Sequence, residues 1–275
     1  MKPDQRRQNL GVAKHPHDVD PASPGSEHGR SRDVHGRGPR VPRVDTDGQS
    51  THNQLMPLIS SSDQDRLRES FAEMTRAVRL LFFTQTLDCE TCLQTKQILG
   101  ELPPLSDKIA IEEVNLILEG STAQAYGIDR APAIAVTYLE ENGSVVDTRI
   151  RFLGAPAGYE FISLVQAVLL AGGREPQLSA DSLTRLAAVD RPVTMHVFTT
   201  PTCPHCPKAV SLAHEMAFAS PHITAYAVEA TEFPDLARRY RVTGVPKTVV
   251  DEQVEILGAL PESAFVEQAL AKFAS

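Results

Sequence analysis

A repeat inside the chain constrains its fold more than any other feature of the sequence. The segment "FFTQTLDCETCLQTKQIL" contains one C-x-x-C motif, and the segment "TTPTCPHCPKAV" contains another. Cys203 follows Cys89 by 114 residues, and Cys206 follows Cys92 by the same 114 residues. Because a constant spacing of this kind marks duplicated structural units, we expect two halves with similar folds.

The same spacing continues beyond the cysteines. Pro246 follows Pro132 by 114 residues, whereas Gly258 follows Gly154 by only 104. The ten-residue loss falls in a predicted hairpin, which reads "TYLEENGSVVDTRI" with an Asn-Gly turn in the first half and only "VVDEQVEI" in the second. A register that shifts once, and in a loop, indicates a tandem duplication.

Hydrophobic patterns predict the same order of elements in both halves. Each half reads helix, strand, C-x-x-C, helix, strand, helix, proline, two-strand hairpin and closing helix. A βαβ unit followed by a ββα unit predicts the α/β class, with a mixed four-stranded sheet and helices on both faces. The predicted strands are 79–84, 109–116, 133–139, 145–152, 193–198, 222–228, 247–251 and 254–257.

Composition divides the chain further. Residues 1–55 contain six Pro, six Gly, nine Lys or Arg and no aromatic residue, which predicts a disordered tail. The two folded units are predicted at 56–173 and 174–275. The tail has a net charge of +2 and the remaining residues one of −10, so an acidic core argues against nucleic acid as a partner.

Two further properties bear on the cellular location. The chain has no apolar run long enough to cross a bilayer, and no apolar segment follows the charged "MKPDQRRQNL". Four cysteines are too few to staple a chain of 275 residues. We therefore expect a soluble, cytoplasmic protein with no membrane partner, in which paired cysteines are catalytic or metal-binding.

From Met56 to Ser275 the sequence resembles the protein disulfide oxidoreductases of the glutaredoxin-like type. The segments that carry the resemblance are "MPLIS", "TPTCPHCPKAV", "RAPA", "GVPK", "GAPAGYEF" and "GALPESAF". The resemblance implies two tandem thioredoxin-like folds with one C-x-x-C each. It implies a thiol–disulfide oxidoreductase that reduces, forms or isomerises protein disulfides, without a bound cofactor or metal.

A C-x-x-C at the start of a helix suits thiol–disulfide exchange. The first cysteine lies near unpaired backbone N–H groups and the positive end of the helix dipole, which favour its thiolate. The second is expected about one turn deeper and less exposed. We therefore predict Cys89 and Cys203 as nucleophiles, with Cys92 and Cys206 as resolving cysteines.

The residues between the cysteines differ in the two motifs. Glu90 and Asp88 flank Cys89, and their negative charges disfavour its thiolate. His205 lies beside Cys203, where a cationic imidazole favours the thiolate, and the same Pro-His pair occurs in strongly oxidising periplasmic thiol oxidases. Glu90 and His205 are therefore predicted to tune the two sites, although both residue types are also common as solvated turn residues.

The resemblance also assigns residues opposite the cysteines. Pro132 and Pro246 correspond to the cis-proline of thioredoxin-like proteins, and Ala131 and Val245 would offer backbone groups to an extended substrate. Unlike thioredoxins, the strands "LLFF" and "MHVF" carry no carboxylate before the motif. The sequence thus identifies no proton acceptor for the resolving cysteines, and His196 is expected to be a structural strand residue.

Three other functions fit parts of the pattern. Two C-x-x-C motifs can form a zinc site, but zinc-ribbon pairs are usually about 15 to 20 residues apart, far closer than these. The N-terminal part of peroxiredoxin reductases is also a double thioredoxin fold, so an electron carrier to a peroxiredoxin is an alternative. In those proteins one pair is active and a flavoprotein part follows, so we expect a weaker resemblance to them. A binding module with structural disulfides is the third alternative. The expected partners are protein disulfides, a thioredoxin-reductase-type flavoprotein and a peroxiredoxin.

Overall fold

The structure, a computed structural model, describes residues 58–273. The predicted disordered tail, residues 1–55, lies outside this range. None of the helices between residues 58 and 273 combines the length and the apolar character that a membrane span requires.

The two halves repeat one order of elements. A short 3-10 turn at Pro103–Leu105 is the one addition to the predicted order within the range that the structure describes. The elements of the first half are α1 (Ser61–Ala72), β1 (Ala77–Thr84), α2 (Cys92–Gly100), β2 (Ile109–Asn115), α3 (Gly120–Ala125), β3 (Ala133–Leu139), β4 (Val145–Leu153) and α4 (Glu160–Ala171). Those of the second half are α5 (Ala180–Ala187), β5 (Val193–Thr199), α6 (Cys206–Ala219), β6 (Ile223–Glu229), α7 (Pro234–Arg239), β7 (Lys247–Val250), β8 (Val254–Leu257) and α8 (Glu262–Leu270).

Serine side chains define where each half begins. Ser60 Oγ accepts a hydrogen bond from Asp63 N (3.2 Å), and Ser179 Oγ accepts one from Ser182 N (3.2 Å). Each bond satisfies an amide that has no partner inside its helix, so α1 and α5 start immediately after these serines.

All eight predicted strands are present, with ends within two residues of the predicted ones. In both halves, β1 or its equivalent β5 pairs in parallel with the following strand and antiparallel with the first hairpin strand. The mixed four-stranded arrangement predicted for each half is therefore confirmed.

The two four-stranded sheets are joined into one sheet of eight strands, which the sequence analysis did not anticipate. The strand order is β2-β1-β3-β4-β6-β5-β7-β8, and the join is a parallel pairing of β4 with β6 from Ile150↔Ala225 to Leu153↔Val228. Ile150, Leu153, Ala225 and Val228 are all buried. The pairing satisfies backbone N–H and C=O groups on two strand edges that would otherwise be unpaired, and the apolar side chains of these strands are covered. The predicted boundary between residues 173 and 174 falls between α4 and α5, and as a division into domains it stays a prediction.

Helices cover both faces of the sheet. On one face a large apolar cluster includes residues of α1, α2, α4, α5, α6 and α8, and it is continuous across both halves. On the other face a smaller cluster includes residues of α3 and α7, among them Ala123 and Leu236. The shared sheet and continuous cores hold the two C-x-x-C segments in a fixed relation.

Candidate active site

The first C-x-x-C lies between the end of β1 and the start of α2. Cys89 and Cys92 form a disulfide, with their Cα atoms 5.4 Å apart. Cys89 is partly exposed, whereas Cys92 is 8% exposed. Asp88 reaches the motif with a φ of 55°, and its carbonyl accepts a hydrogen bond from Gln85 Nε2 (3.2 Å). This turn leaves Cys89 as the accessible sulfur.

The second C-x-x-C occupies the equivalent place after β5. Cys203 and Cys206 form a disulfide with a Cα–Cα distance of 5.5 Å. Cys203 is 8% exposed and Cys206 is fully buried. In both pairs the first cysteine is the more accessible one, in the order expected for a nucleophile and a resolving cysteine.

The helices start later than the sequence analysis expected. α2 begins at Cys92 and α6 begins at Cys206, so the first cysteine of each pair precedes its helix. In the second motif, Cys206 N donates to Cys203 O (3.4 Å), which closes a turn before the helix. Each resolving cysteine occupies the first helical position, three residues after the nucleophile and more buried than it, whereas the nucleophile lies just outside the helix.

Both predicted prolines have cis peptide bonds, Ala131–Pro132 and Val245–Pro246. The carbonyl of Pro132 accepts a hydrogen bond from Gly154 N (2.9 Å), and that of Pro246 accepts one from Gly258 N (2.8 Å). The two prolines thus have equivalent positions in the repeat.

The strand register places each proline near its cysteines. β3 starts directly after Pro132, and its Ala133 pairs with Phe83 near the end of β1. In the second half, β7 starts directly after Pro246 and pairs with the end of β5. A cavity of about 520 Å³ brings the first set together and is lined by Asp88, Cys89, Glu90, Thr91, Ala131, Pro132, Thr231, Glu232, Phe233 and Pro234.

Each cysteine loop contacts a segment from the opposite half. At the first site, Glu232 Oε2 accepts a short hydrogen bond from Thr91 Oγ1. At the second, Pro201 O accepts a hydrogen bond from Tyr159 N (2.9 Å). A Cβ atom at Gly158, where φ is +59°, would lie 2.2 Å from Pro201 O, so only glycine permits this approach.

The predicted tuning residues are both accessible to solvent. Glu90 and His205 are exposed, and His205 is the residue immediately before α6. Their influence on the thiolates remains a prediction. Thr91, which occupies the position equivalent to His205, carries the hydrogen bond to the other half instead.

A buried carboxyl group at the start of α4 was not identified from the sequence. Glu160 is 3% exposed, and among the described residues neither carboxyl oxygen has a hydrogen-bond partner. Burial raises its pKa to about 7, and the nearby Ser163 hydroxyl, which is outside hydrogen-bonding geometry, opposes this rise only weakly. The preceding Tyr159 is bonded to the loop that carries Cys203, and α4 packs against α6. The only signal in the sequence was its place in "GAPAGYEF", one residue after Tyr159.

His214 is buried and His196 is half-buried. Burial lowers the pKa of His196 to about 4 and that of His214 to about 3. His196 stacks on Tyr226 and Tyr240, with ring centroids 5.1 and 5.4 Å away. His196 is therefore a packed strand residue, as expected. Within residues 58–273, no three His, Cys, Asp or Glu side chains are grouped so as to hold a metal ion.

Comparison with known proteins places the chain among double thioredoxin folds. A family described as "Thioredoxin domain" matches residues 193–271. The chain is 30% identical to a structure of the alkylhydroperoxide reductase AhpF from Enterococcus faecalis, covering 76% of this chain and 98% of that one with a TM-score of 0.69. A protein disulfide oxidoreductase from Aeropyrum pernix is 27% identical, with coverages of 77% and 93% and the same TM-score of 0.69.

The curated relatives are longer proteins. The F component of the alkyl hydroperoxide reductase of Pseudomonas putida is 28% identical over 158 residues, which are 54% of this chain and 29% of the relative. The chain spans about a third of the length of the curated relatives that it matches. The equal TM-scores do not support the expected weaker resemblance to peroxiredoxin reductases.

Proposed function

Because the chain belongs to the tandem thioredoxin-fold oxidoreductases, we propose that it catalyses thiol–disulfide exchange on protein substrates through two redox pairs, Cys89–Cys92 and Cys203–Cys206. The observation that supports this best is the repeated arrangement of the two sites. Each has a cysteine three residues before a more buried one, at the start of a helix and near a cis-proline turn.

In the reducing direction, the thiolate of Cys89 or Cys203 attacks one sulfur of the substrate disulfide. A mixed disulfide forms, and the other substrate sulfur leaves as a thiolate and takes up a proton. The resolving cysteine, Cys92 or Cys206, then attacks the enzyme sulfur of the mixed disulfide. The substrate leaves as a dithiol, and the two electrons have passed from the enzyme, which is left as a disulfide.

Substrate binding is proposed at the cis-proline turns. This proposal is supported by Ala131, which lines the same cavity as Cys89 and whose backbone would hydrogen-bond an extended segment that carries the target disulfide. Val245 has the equivalent place before Pro246 in the second half. The cavity at the first site, about 520 Å³, accommodates a few residues of a peptide rather than a folded surface.

Glu160 is proposed as the proton acceptor of the second site. Cys206 is fully buried, so its thiol has no contact with bulk water to which it can lose a proton. The contact between Tyr159 and Pro201 fixes the start of α4 beside the loop of this site. A carboxyl group with a pKa of about 7 is suited to exchange protons at neutral pH.

A second candidate function is electron transfer to a peroxiredoxin. It is favoured by the likeness to the alkylhydroperoxide reductase AhpF, which covers 98% of that chain. In both functions a thioredoxin-reductase-type flavoprotein is the proposed electron donor, and a reducing compartment such as the cytoplasm is the proposed location. Peroxide consumption with a peroxiredoxin, compared with insulin reduction at equal enzyme concentration, separates the two functions.

The primary test is dithiol-dependent reduction of insulin disulfides. We expect activity in the native chain, partial activity when either Cys89 or Cys203 is replaced by serine, and none when both are replaced. The single variants serve as controls for folding of the double variant. Full activity in the double variant, or one bound zinc per native chain, would contradict the redox function.

A further inference from the structure

A carboxylate of the second half reaches into the first redox site. Glu232 lies in the loop between β6 and α7, and both of its carboxyl oxygens bind groups of the first half. Oε1 accepts a hydrogen bond from Ala155 N (2.8 Å), and Oε2 accepts the short one from Thr91 Oγ1. The side chain therefore connects the C-x-x-C loop to the turn that follows β4.

The contact is built into the local backbone. Glu229 Oε2 accepts hydrogen bonds from Glu232 N (2.6 Å) and Thr231 Oγ1 (2.7 Å), which fixes the loop that carries Glu232. Gly154, with a φ of +95°, allows the two halves to approach. A Cβ atom there would lie 2.6 Å from Glu229 Cβ and 3.1 Å from Glu232 Oε1.

Thr91 connects this carboxylate to the cysteines. It lies between Cys89 and Cys92 and is the N-cap residue of α2, yet its side chain makes no capping hydrogen bond. Its hydroxyl donates to Glu232 instead, while its carbonyl accepts from Thr95 N (2.9 Å). The conformation of the segment between the two cysteines thus depends on Glu232.

The second site has no equivalent group. The 114-residue register places Leu118 where the second half has Glu232, and Leu118 is 83% exposed. The position of Thr91 corresponds to His205, which is exposed. The Glu232 contact therefore distinguishes the first site from the second and was not produced by duplication alone.

The charges around Cys89 are mostly negative. Cys89 lines more than one cavity, and the one it shares with Glu232 contains three carboxylates, those of Asp88, Glu90 and Glu232, and no Lys, Arg or His. A second cavity contains one cation, Lys96, whose charge is paired with Glu113 (2.6 Å). Arg130 is nearby, but it pairs with Asp129 (2.9 Å) and with Asp235 on α7 (3.0 Å). Glu229 adds a further carboxylate next to Glu232. Burial raises the pKa of Glu232, a change that the hydrogen bond from Thr91 opposes.

We propose that Glu232 is a positioning residue of the first redox pair, which holds Thr91 in place and disfavours a thiolate at Cys89. Because it is partly buried, its charge is screened less than that of the exposed Glu90. A disfavoured thiolate destabilises the reduced form, which makes the first pair more reducing. This inference rests on the proposed redox role of Cys89–Cys92. It assigns control of the reduction potential of this pair to a residue of the opposite half.

The test uses the full chain with Cys203→Ser and Cys206→Ser, so that only the first pair titrates. Alkylation of Cys89 by iodoacetamide is followed by peptide mass spectrometry across pH. We expect Glu232→Gln to raise the rate at pH 7 about threefold, equivalent to a fall of about half a pKa unit at Cys89. At alkaline pH, where Cys89 is a thiolate in the reduced form of both chains, the same factor in the equilibrium with glutathione is a shift of about 14 mV toward a more oxidising couple.

The matched control is Glu267→Gln, which removes one negative charge from exposed α8 of the same half. Glu267→Gln should leave the alkylation rate of Cys89 and the reduction potential of the first pair unchanged. Glu90→Gln should change both by less than Glu232→Gln does. An effect of Glu232→Gln no larger than that of Glu267→Gln overturns the proposal. Lower thermal stability with an unchanged rate and potential would likewise leave Glu232 with a structural role only.

Thr91 provides a second test if Glu232→Gln does not fold. Thr91→Val removes the donor, so the carboxylate either becomes protonated more readily or moves toward solvent, and Cys89 should again react faster. Thr91→Ser keeps the donor and should behave as the parent chain. Equal rates in the two variants contradict the proposal. Alkylation requires no turnover, so a chain that reduces no insulin but responds to Glu232→Gln refutes the proposed function and leaves this inference standing.

Discussion

Replacement of Glu160 by glutamine should change how the stability of the chain depends on pH. The carboxyl group is 3% exposed, and burial raises its pKa to about 7 from a reference value of 4.5. The folded state therefore binds a proton more tightly than the unfolded state does. Between pH 4.5 and 7 the unfolded chain loses this proton first, so the contribution of Glu160 to stability falls as pH rises.

The magnitude follows from the difference between the two pKa values. At about 1.36 kcal/mol per pKa unit, the free energy of unfolding should fall by about 3 kcal/mol across this interval. Glutamine has nearly the same shape and does not titrate. The difference between the native chain and Glu160→Gln should therefore be constant below pH 4.5, fall by about 3 kcal/mol, and be constant again above pH 8.

The comparison with the variant is necessary because two histidines change the stability in the opposite direction. His196 and His214 have pKa values lowered by burial to about 4 and about 3, so below pH 6.5 the unfolded state binds their protons more tightly. Their contribution to stability rises with pH over part of the same interval. They are present in both proteins and cancel in the difference.

Urea unfolding at half-unit intervals from pH 4 to 8.5, followed by circular dichroism, measures this difference. Both proteins should be oxidised throughout, so that the cysteines do not titrate. A difference that does not vary with pH would show that Glu160 is not a buried titrating carboxyl. A difference that rises with pH up to about 4.5 and is flat above it would show that the pKa is lowered rather than raised.

Two further results are expected. Gly158→Ala should lower the free energy of unfolding by about 3 kcal/mol or more, because the added Cβ meets Pro201 O at 2.2 Å. The control Gly143→Ala has nothing within 4 Å of the added Cβ and should cost only about 1 kcal/mol, for its positive φ. Equal costs in urea unfolding would show that the contact between the halves is not tight. A chain that begins at Met56 should keep the melting temperature and specific activity of the full chain, because residues 1–55 contain too few apolar residues, and no aromatic one, to build a core. A large loss of either would show that the tail docks on the core.

The sequence predicted the parts of the fold that depend on local patterns and on the repeat. Alternating apolar residues in β5 and continuous ones in β3 indicated the strands, and the constant spacing of Pro132 and Pro246 indicated two equivalent turns. Such patterns specify which face of a strand is buried. They do not specify what lies at its edge, so the pairing of β4 with β6 could not be predicted.

The candidate site, like the fold, has features that local sequence patterns predict and features that they do not. The four cysteines were evident because their spacing is local, and the structure places each pair as expected apart from the helix start. Glu160 and Glu232 lie more than 40 residues along the chain from the cysteine loops for which we propose their roles, across a junction that the repeat does not encode. Each of these cysteine loops belongs to the half opposite its glutamate and is brought near it only when the two sheets join. No sequence pattern within one half predicts that arrangement.

The central claim is that both pairs are reversible redox centres with unequal potentials. The direct measurement is the reduction potential of each pair against glutathione, with the other pair replaced by serines. Both pairs should titrate as two-electron couples, with Cys203–Cys206 more oxidising than Cys89–Cys92 by several tens of millivolts, where about 30 mV corresponds to about 1.4 kcal/mol. A pair that does not titrate would contradict the claim of two redox centres. Equal potentials, or a more reducing Cys203–Cys206, would contradict the assignment of Glu90, Glu232 and His205 as the residues that set them apart.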